Sequence, residues 1–263
     1  MTGDGWANAS PEPYRPRPRL RGEQHMSQGW DQSAQAWIDV VGEQGDWGRR
    51  YVLDGPMMDR VGAAHVETAV DVGCGEGRFC RMMQERGIRT IGADPTVALI
   101  ERARAVDPSG DYRAMGAEAL DMPDGSVDLA VFYLSLIDIP DLPAALAEAW
   151  RVVRPGGRVL VANLQGFNTA AEPLGWTHEP DGTRRFCIDH YMVERPRHTA
   201  WQGISIINWH RPFSVYMQGF LQQGFILRHF AEPMPTIDGD KADRYRRAPN
   251  FLIMEWERGL GPD

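Results

Sequence analysis

Ala69-Val70-Asp71-Val72-Gly73-Cys74-Gly75-Glu76-Gly77-Arg78 is the stretch that decides the fold. An apolar, strand-like segment runs into three glycines spaced two apart, and a helical pattern opens at Arg78. Glycine lets the chain turn sharply and brings bare backbone close to a ligand at a helix N-terminus, where free N–H groups and the positive end of the dipole favour an anion. A nicotinamide- or flavin-binding turn reads Gly-x-Gly-x-x-Gly, and its third glycine serves helix–strand packing. Arg78 occupies that third position here, and a carboxylate, Asp71, lies near the end of the strand.

Outward from this turn the chain alternates. Strand-like 68–72 precedes a helix at 78–86, a strand at 89–93, a helix at 97–106, strands at 111–115 and 127–136, a helix at 142–153 and a strand at 158–164. Strands joined by crossover helices imply a mostly parallel, doubly wound α/β sheet covered on both faces. Asp94 closes the second strand, where a carboxylate can accept both hydroxyls of a ribose. The alternation resumes at the far end with a helix at 213–222, a strand at 225–230 and a last apolar stretch at 251–256. Residues 234–248 read as a connection, and the final pair could run antiparallel.

Two segments stand outside the alternation. Residues 27–62 carry helical stripes (Trp30, Ala34, Trp37, Val40 and Val41, then Trp47, Tyr51, Met57, Met58 and Val61) and read as an N-terminal helical cap. Residues 165–211 show no clear period but are rich in aromatics and histidines, as in an insertion that closes over a ligand. The remainder, 1–26, interleaves proline with arginine and reads as a disordered tail ahead of a single domain over 27–263.

The chain has 263 residues, 43% hydrophobic and 24% charged, with a formal charge of -8. That balance suits a soluble globular domain, and the negative sign disfavours nucleic acid and anionic membranes as partners. No apolar run long enough for a membrane span or a secretory leader occurs, so the cytoplasm is the expected compartment. Lys241 is the single lysine, which excludes a Gly-Lys-Ser/Thr phosphate loop and a Tyr-x-x-x-Lys dehydrogenase pair. Three cysteines (Cys74, Cys80 and Cys187) are too few for a disulfide framework, and Cys187 with His190 matches no zinc spacing, so no metal is expected.

Taken in order, these residues resemble a class I S-adenosylmethionine-dependent methyltransferase of the bacterial small-molecule type, over about 30–257 and most specifically over 69–164. The resemblance implies a Rossmann-like, mostly parallel seven-stranded sheet with an antiparallel last strand, and S-adenosylmethionine as cofactor. It implies that Gly73, Gly75 and Gly77 line the methionine moiety and that Asp71 orders the turn and meets the cofactor's ammonium. By the same resemblance Asp94 holds the ribose, Pro95 lies beside the adenine, Ala117 and Glu118 meet the adenine edge, and Leu134 meets the methionine end. Gly116 stands where similar sequences carry an acid, and Leu164-Gln165 where a His-Pro pair is frequent.

Tryptophans in 30–47 and 176–209 flank the expected cofactor mouth and point to an apolar or aromatic small-molecule acceptor. Methyl transfer to a hydroxyl or ammonium needs a base, and the candidates are Glu172, His210, His190 and Tyr191, with Glu172 soonest after the fifth strand. An alternative is C-methylation of an isoprenoid alkene through a carbocation, with Glu172 as proton acceptor and Mg2+ only if the substrate is a diphosphate. A non-catalytic cofactor-binding protein is the alternative of another class, and assembly into a homo-oligomer is left open.

Overall fold

A computed structural model describes residues 28–171 and 174–260. The expected tail and Glu172 lie outside the described residues. A seven-stranded sheet organises the rest: β1 (Thr68–Val72), β2 (Arg89–Asp94), β3 (Asp111–Ala114), β4 (Val127–Tyr133), β5 (Val153–Leu164), β10 (Phe225–Ala231) and β11 (Phe251–Arg258). Their order is β10-β11-β5-β4-β1-β2-β3, with β1 to β5 parallel and β11 antiparallel to both of its neighbours. Strand order reverses between β1 and β4, so the turns after these two strands diverge and leave a crevice at their C-terminal ends.

Parallel strands buried on both faces read as continuous apolar runs. β4 shows this: Leu129, Val131 and Tyr133 pack with Met57, Phe79 and Met83 on one face, while Ala130 and Phe132 pack with Leu146, Tyr216 and Phe220 on the other. Helices α3 (Arg78–Gln84), α4 (Val97–Val106), α5 (Leu142–Val152) and α7 (Phe213–Gln222) supply the crossovers. Among the described residues no helix is long and apolar enough to cross a membrane.

The cap consists of α1 (Trp30–Val41), a π-helical turn at Arg49–Leu53 and α2 (Asp54–Val61). The segment expected to be an insertion without pattern is instead a four-residue helix α6 (Gly166–Thr169) and two hairpins, β6 (Gly175–His178) with β7 (Arg184–Cys187), and β8 (Arg195–Trp201) with β9 (Ile204–His210). In β9, Ile204, Ile206, Asn208 and His210 are buried alternately, the period of a half-buried strand. Cap and hairpin join: the Ser33 hydroxyl donates to Ser205 O at 3.1 Å and accepts from Ser205 N–H at 3.0 Å, and Ile207 N–H donates to Gln28 O at 2.8 Å. The expected connection at 234–248 holds an eight-residue helix α8 (Asp240–Arg247), whose one buried residue, Ala242, leaves no apolar stripe to read.

Candidate active site

The glycine-rich turn follows β1 because Gly73, Gly75 and Gly77 all take positive φ, at 79°, 57° and 80°. Their surroundings differ. A Cβ on Gly73 would lie 2.4 Å from Ser135 Cβ and one on Gly77 2.5 Å from the Tyr112 ring, so neither position has room for a side chain. Gly75 faces a pocket, where the Trp37 indole nitrogen would be 3.4 Å from an added Cβ. Asp71, Gly73, Gly75, Glu76, Tyr133 and Arg49 line that pocket.

Two carboxylates converge on the turn. Asp94 accepts the Gly75 N–H at Oδ2 (2.9 Å) and the Thr96 N–H at Oδ1 (2.8 Å), which fixes its orientation and leaves acceptor capacity on each oxygen. Burial pushes its pKa up against the pull of those two N–H groups. Asp71 is 1% exposed, and its Oδ2 has only a long contact, 3.8 Å, from the Cys80 thiol. Its Oδ1 is buried with no hydrogen-bond partner. Burial first, then the Asp94 and Glu76 charges, push the Asp71 carboxyl up to about 7. An orphaned acceptor beside a glycine turn fits a ligand that brings its own donor, such as an ammonium.

Arg78, the residue that departs from a dinucleotide turn, reaches back to the cap: it donates to Asp54 Oδ1 at 3.0 Å and to Gln44 O at 2.9 Å. Tyr133 OH donates to the same Asp54 oxygen at 2.8 Å. Arg49 lies over the Trp37 ring at 4.7 Å and near the Tyr133 ring at 5.5 Å. The π-helical turn and α2 are thereby anchored to the crevice.

The other sequence-derived cofactor residues fall along the same edge. Pro95 is exposed, Ala117 is buried and Glu118 half-buried after β3, and Met115 N–H donates to Asp94 O at 3.2 Å, tying β3 to the end of β2. Leu134 takes φ 60°, a left-handed conformation rare for leucine, immediately after β4.

Of the described base candidates, His210 and Tyr191 meet, their rings 5.7 Å apart, while His190 stands apart from them. His210 is fully buried, with Nδ1 2.6 Å from the Thr169 hydroxyl and Nε2 2.8 Å from Tyr191 O. The carbonyl takes the Nε2 proton, the hydroxyl occupies Nδ1, and burial lowers the pKa, so no lone pair faces a substrate and the side chain acts as a strut. His190 is exposed, at φ 51°, beside Asp189. Tyr191 OH accepts the Phe213 N–H at 3.0 Å. Next to His210, Arg211 clamps the loop after β4 by donating to Leu136 O, Ile139 O and Pro140 O at 2.7–3.0 Å.

The aromatic segments divide. Trp30 and Trp37 meet edge to face at 5.3 Å above the glycine turn, whereas Trp176 packs on Phe186 within the first hairpin, Phe186 also meets Phe167 of α6, and Trp47 packs against Tyr245.

Asp138, which the sequence reading passed over, sits in the loop after β4. It accepts from Asn208 Nδ2 of β9, and burial pushes it up to about 7 against the pull of Asn208 and of Trp30 on α1. A lone acid inside Leu136-Ile137-Asp138-Ile139, an apolar stretch following a buried strand, was the signal available.

Residues 70–161 match a family model described as a methyltransferase domain. The chain is 31% identical over 181 residues to a malonyl-[acyl-carrier protein] O-methyltransferase of Yersinia pestis, covering 68% of this chain and 64% of that one. It is 34% identical over 131 residues to the protein of the same name from Serratia marcescens, covering 49% and 51%. The chain thus spans about half to two thirds of the length of these curated relatives. A solved S-adenosylmethionine-dependent methyltransferase from Mesorhizobium loti superposes with a TM-score of 0.66 at 28% identity, covering 76% of this chain and 95% of that one. With its sheet order and its glycine turn, the chain belongs to the class I S-adenosylmethionine-dependent methyltransferases.

Proposed function

We propose that this protein transfers a methyl group from S-adenosylmethionine to a small, apolar or aromatic metabolite. The observation that carries the reading is the unpartnered, buried Asp71 Oδ1 beside the glycine turn, with Asp94 oriented across from it. Asp71 would take the cofactor's ammonium, Gly73 and Gly75 would admit its methionine moiety, and Asp94 would hold the ribose hydroxyls. Pro95, Ala117 and Glu118 would border the adenine, and Leu134 the methionine end.

When bound, the cofactor supplies an electrophilic methyl carbon on a sulfonium. The chain's task is then to hold an acceptor atom in line behind that carbon and to exclude water, which accounts for much of the rate. Trp30, Trp37 and Tyr133 would supply the apolar walls, and β9 with α1 would close them. Arg211 would keep the loop after β4 in register with the turn.

A second reading, favoured by the 31% identity to a malonyl-[acyl-carrier protein] O-methyltransferase, is methylation of a carboxylate on an acyl chain. Incubation with methyl-labelled S-adenosylmethionine separates the readings, with phenolic, amine, isoprenoid and acyl acceptors offered with and without Mg2+. Label in phenols or amines supports the first reading. Label in acyl carboxylates alone supports the second, and a strict Mg2+ requirement with an isoprenoid diphosphate would move the assignment to C-methylation with Glu172 as proton acceptor.

A further inference from the structure

We infer that Asp138 is a catalytic proton acceptor, so that the methyl acceptor is a hydroxyl or amine that carries a proton on its nucleophile, not a carboxylate. The inference rests on the methyltransferase reading above. Asp138 N–H donates to Ser135 O at 2.9 Å, and Ser135 fills the space over Gly73, which places the carboxylate within one turn of chain of the glycine turn.

Three elements converge on it. The loop after β4 carries it, β9 presents Asn208, which donates to a carboxylate oxygen, and α1 brings Trp30 near enough to lower its proton affinity. A carboxylate has about four acceptor positions, so the Asn208 donor orients the group and leaves acceptor positions for an incoming O–H or N–H. The charged groups that face it are Asp94 at the end of β2, which raises its proton affinity, and Arg49 of the π-helical turn, which lowers it. Asp31, beside Trp30 on α1, acts on Asp94 in the same sense as a further negative charge. The net effect of burial and these neighbours is a carboxyl at about 7, suited to accepting a proton near neutrality.

In the step, the acceptor's oxygen or nitrogen lone pair forms the bond to the methyl carbon, the carbon–sulfur pair stays on sulfur, and the acceptor's proton passes to Asp138. The proton leaves to water when the site opens. An acceptor that is already a carboxylate has no proton to give, and it would meet the Asp138 and Asp94 charges in a half-buried space.

The test uses the full chain saturated with S-adenosylhomocysteine, with naphthol and naphthoate as fluorescent probes of one scaffold in mildly alkaline buffer. Wild type binds naphthol at least about tenfold more tightly than naphthoate, and Asp138→Asn narrows that ratio to within about threefold by admitting naphthoate. The variant keeps its S-adenosylhomocysteine affinity, which shows that it folds. With an acceptor found in the label screen, the rise of kcat/KM with pH toward neutrality disappears in Asp138→Asn. Tighter binding of naphthoate than naphthol, an unchanged ratio in the variant, a persistent pH rise, or no binding of either probe overturns the inference. Failure to bind S-adenosylhomocysteine at all is distinct and overturns the methyltransferase reading beneath it.

Discussion

The main-chain N–H of Gly75 donates to Asp94 Oδ2 at 2.9 Å, joining the turn after β1 to the end of β2. One hydrogen bond thus couples the turn that lines the pocket to the neighbouring strand end, and the Asp94 carboxylate fixes the backbone of the turn.

Replacing Asp94 therefore removes a charged acceptor and loosens Gly75 together. Asp94→Ala weakens S-adenosylhomocysteine binding by about 1.5–3 kcal/mol, the range for hydrogen bonds to a charged group. Isothermal titration measures it, and unchanged affinity would show that the ribose is held elsewhere.

Arg78→Gly restores the third glycine of a dinucleotide turn at the expense of the bond to Asp54, whose carboxylate keeps only the Tyr133 hydroxyl among these partners. Breaking a largely buried ion pair by removing one partner costs about 2–4 kcal/mol, or a fall in Tm of roughly 5–10 °C for a chain of this size. Thermal unfolding reads the loss, and the variant gains no affinity for NAD. An undisturbed Tm would mean that the cap is anchored without this pair.

Asp71 sets a pH dependence. Its carboxyl, pushed up to about 7 in the folded protein, binds a proton that the unfolded chain releases near 3.8. Its contribution to stability is complete below about pH 4 and is lost as the pH rises to about 7. Docking an ammonium reverses the preference, so S-adenosylhomocysteine binding releases a proton below neutrality and tightens with pH up to about 7 before levelling. Titrations in two buffers of different ionisation enthalpy report that proton, and Asp71→Asn abolishes both the release and the slope. A flat affinity in wild type would contradict the assignment.

His210→Leu strands the Tyr191 carbonyl and leaves the Thr169 hydroxyl only the Gly166 carbonyl. Stability falls by about 2–4 kcal/mol in urea titration, while the pH profile of turnover per folded molecule keeps its shape. Loss of one limb of that profile in a folded variant would return His210 to the chemistry.

Much of the fold was legible in the chain because burial writes itself into parallel strands. β1, β2 and β4 appeared as apolar runs, and the glycines with Asp71 and Asp94 marked the turn after β1 and the strand end that hydrogen-bonds to it. α8 was hidden because Ala242 is its one buried residue, so no apolar stripe existed. β9 was obscured by Asn208 and His210, polar side chains at buried positions of a period-two pattern. The role of His210 depended on Thr169 and Tyr191, which are distant in sequence, and Asp138 depended on Asn208 and Trp30, brought over by two separate elements. Such partners are set by tertiary packing, which periodicity alone does not specify.

Placement of S-adenosylmethionine in the crevice between the β1 and β4 turns is open to a direct check. Calorimetric titration of the purified chain with S-adenosylhomocysteine, with NAD as the control, provides it. The expected result is one site per chain with an affinity on the order of micromolar, about -8 kcal/mol, and no heat from NAD. Binding of NAD, or a folded chain that binds neither, overturns that placement.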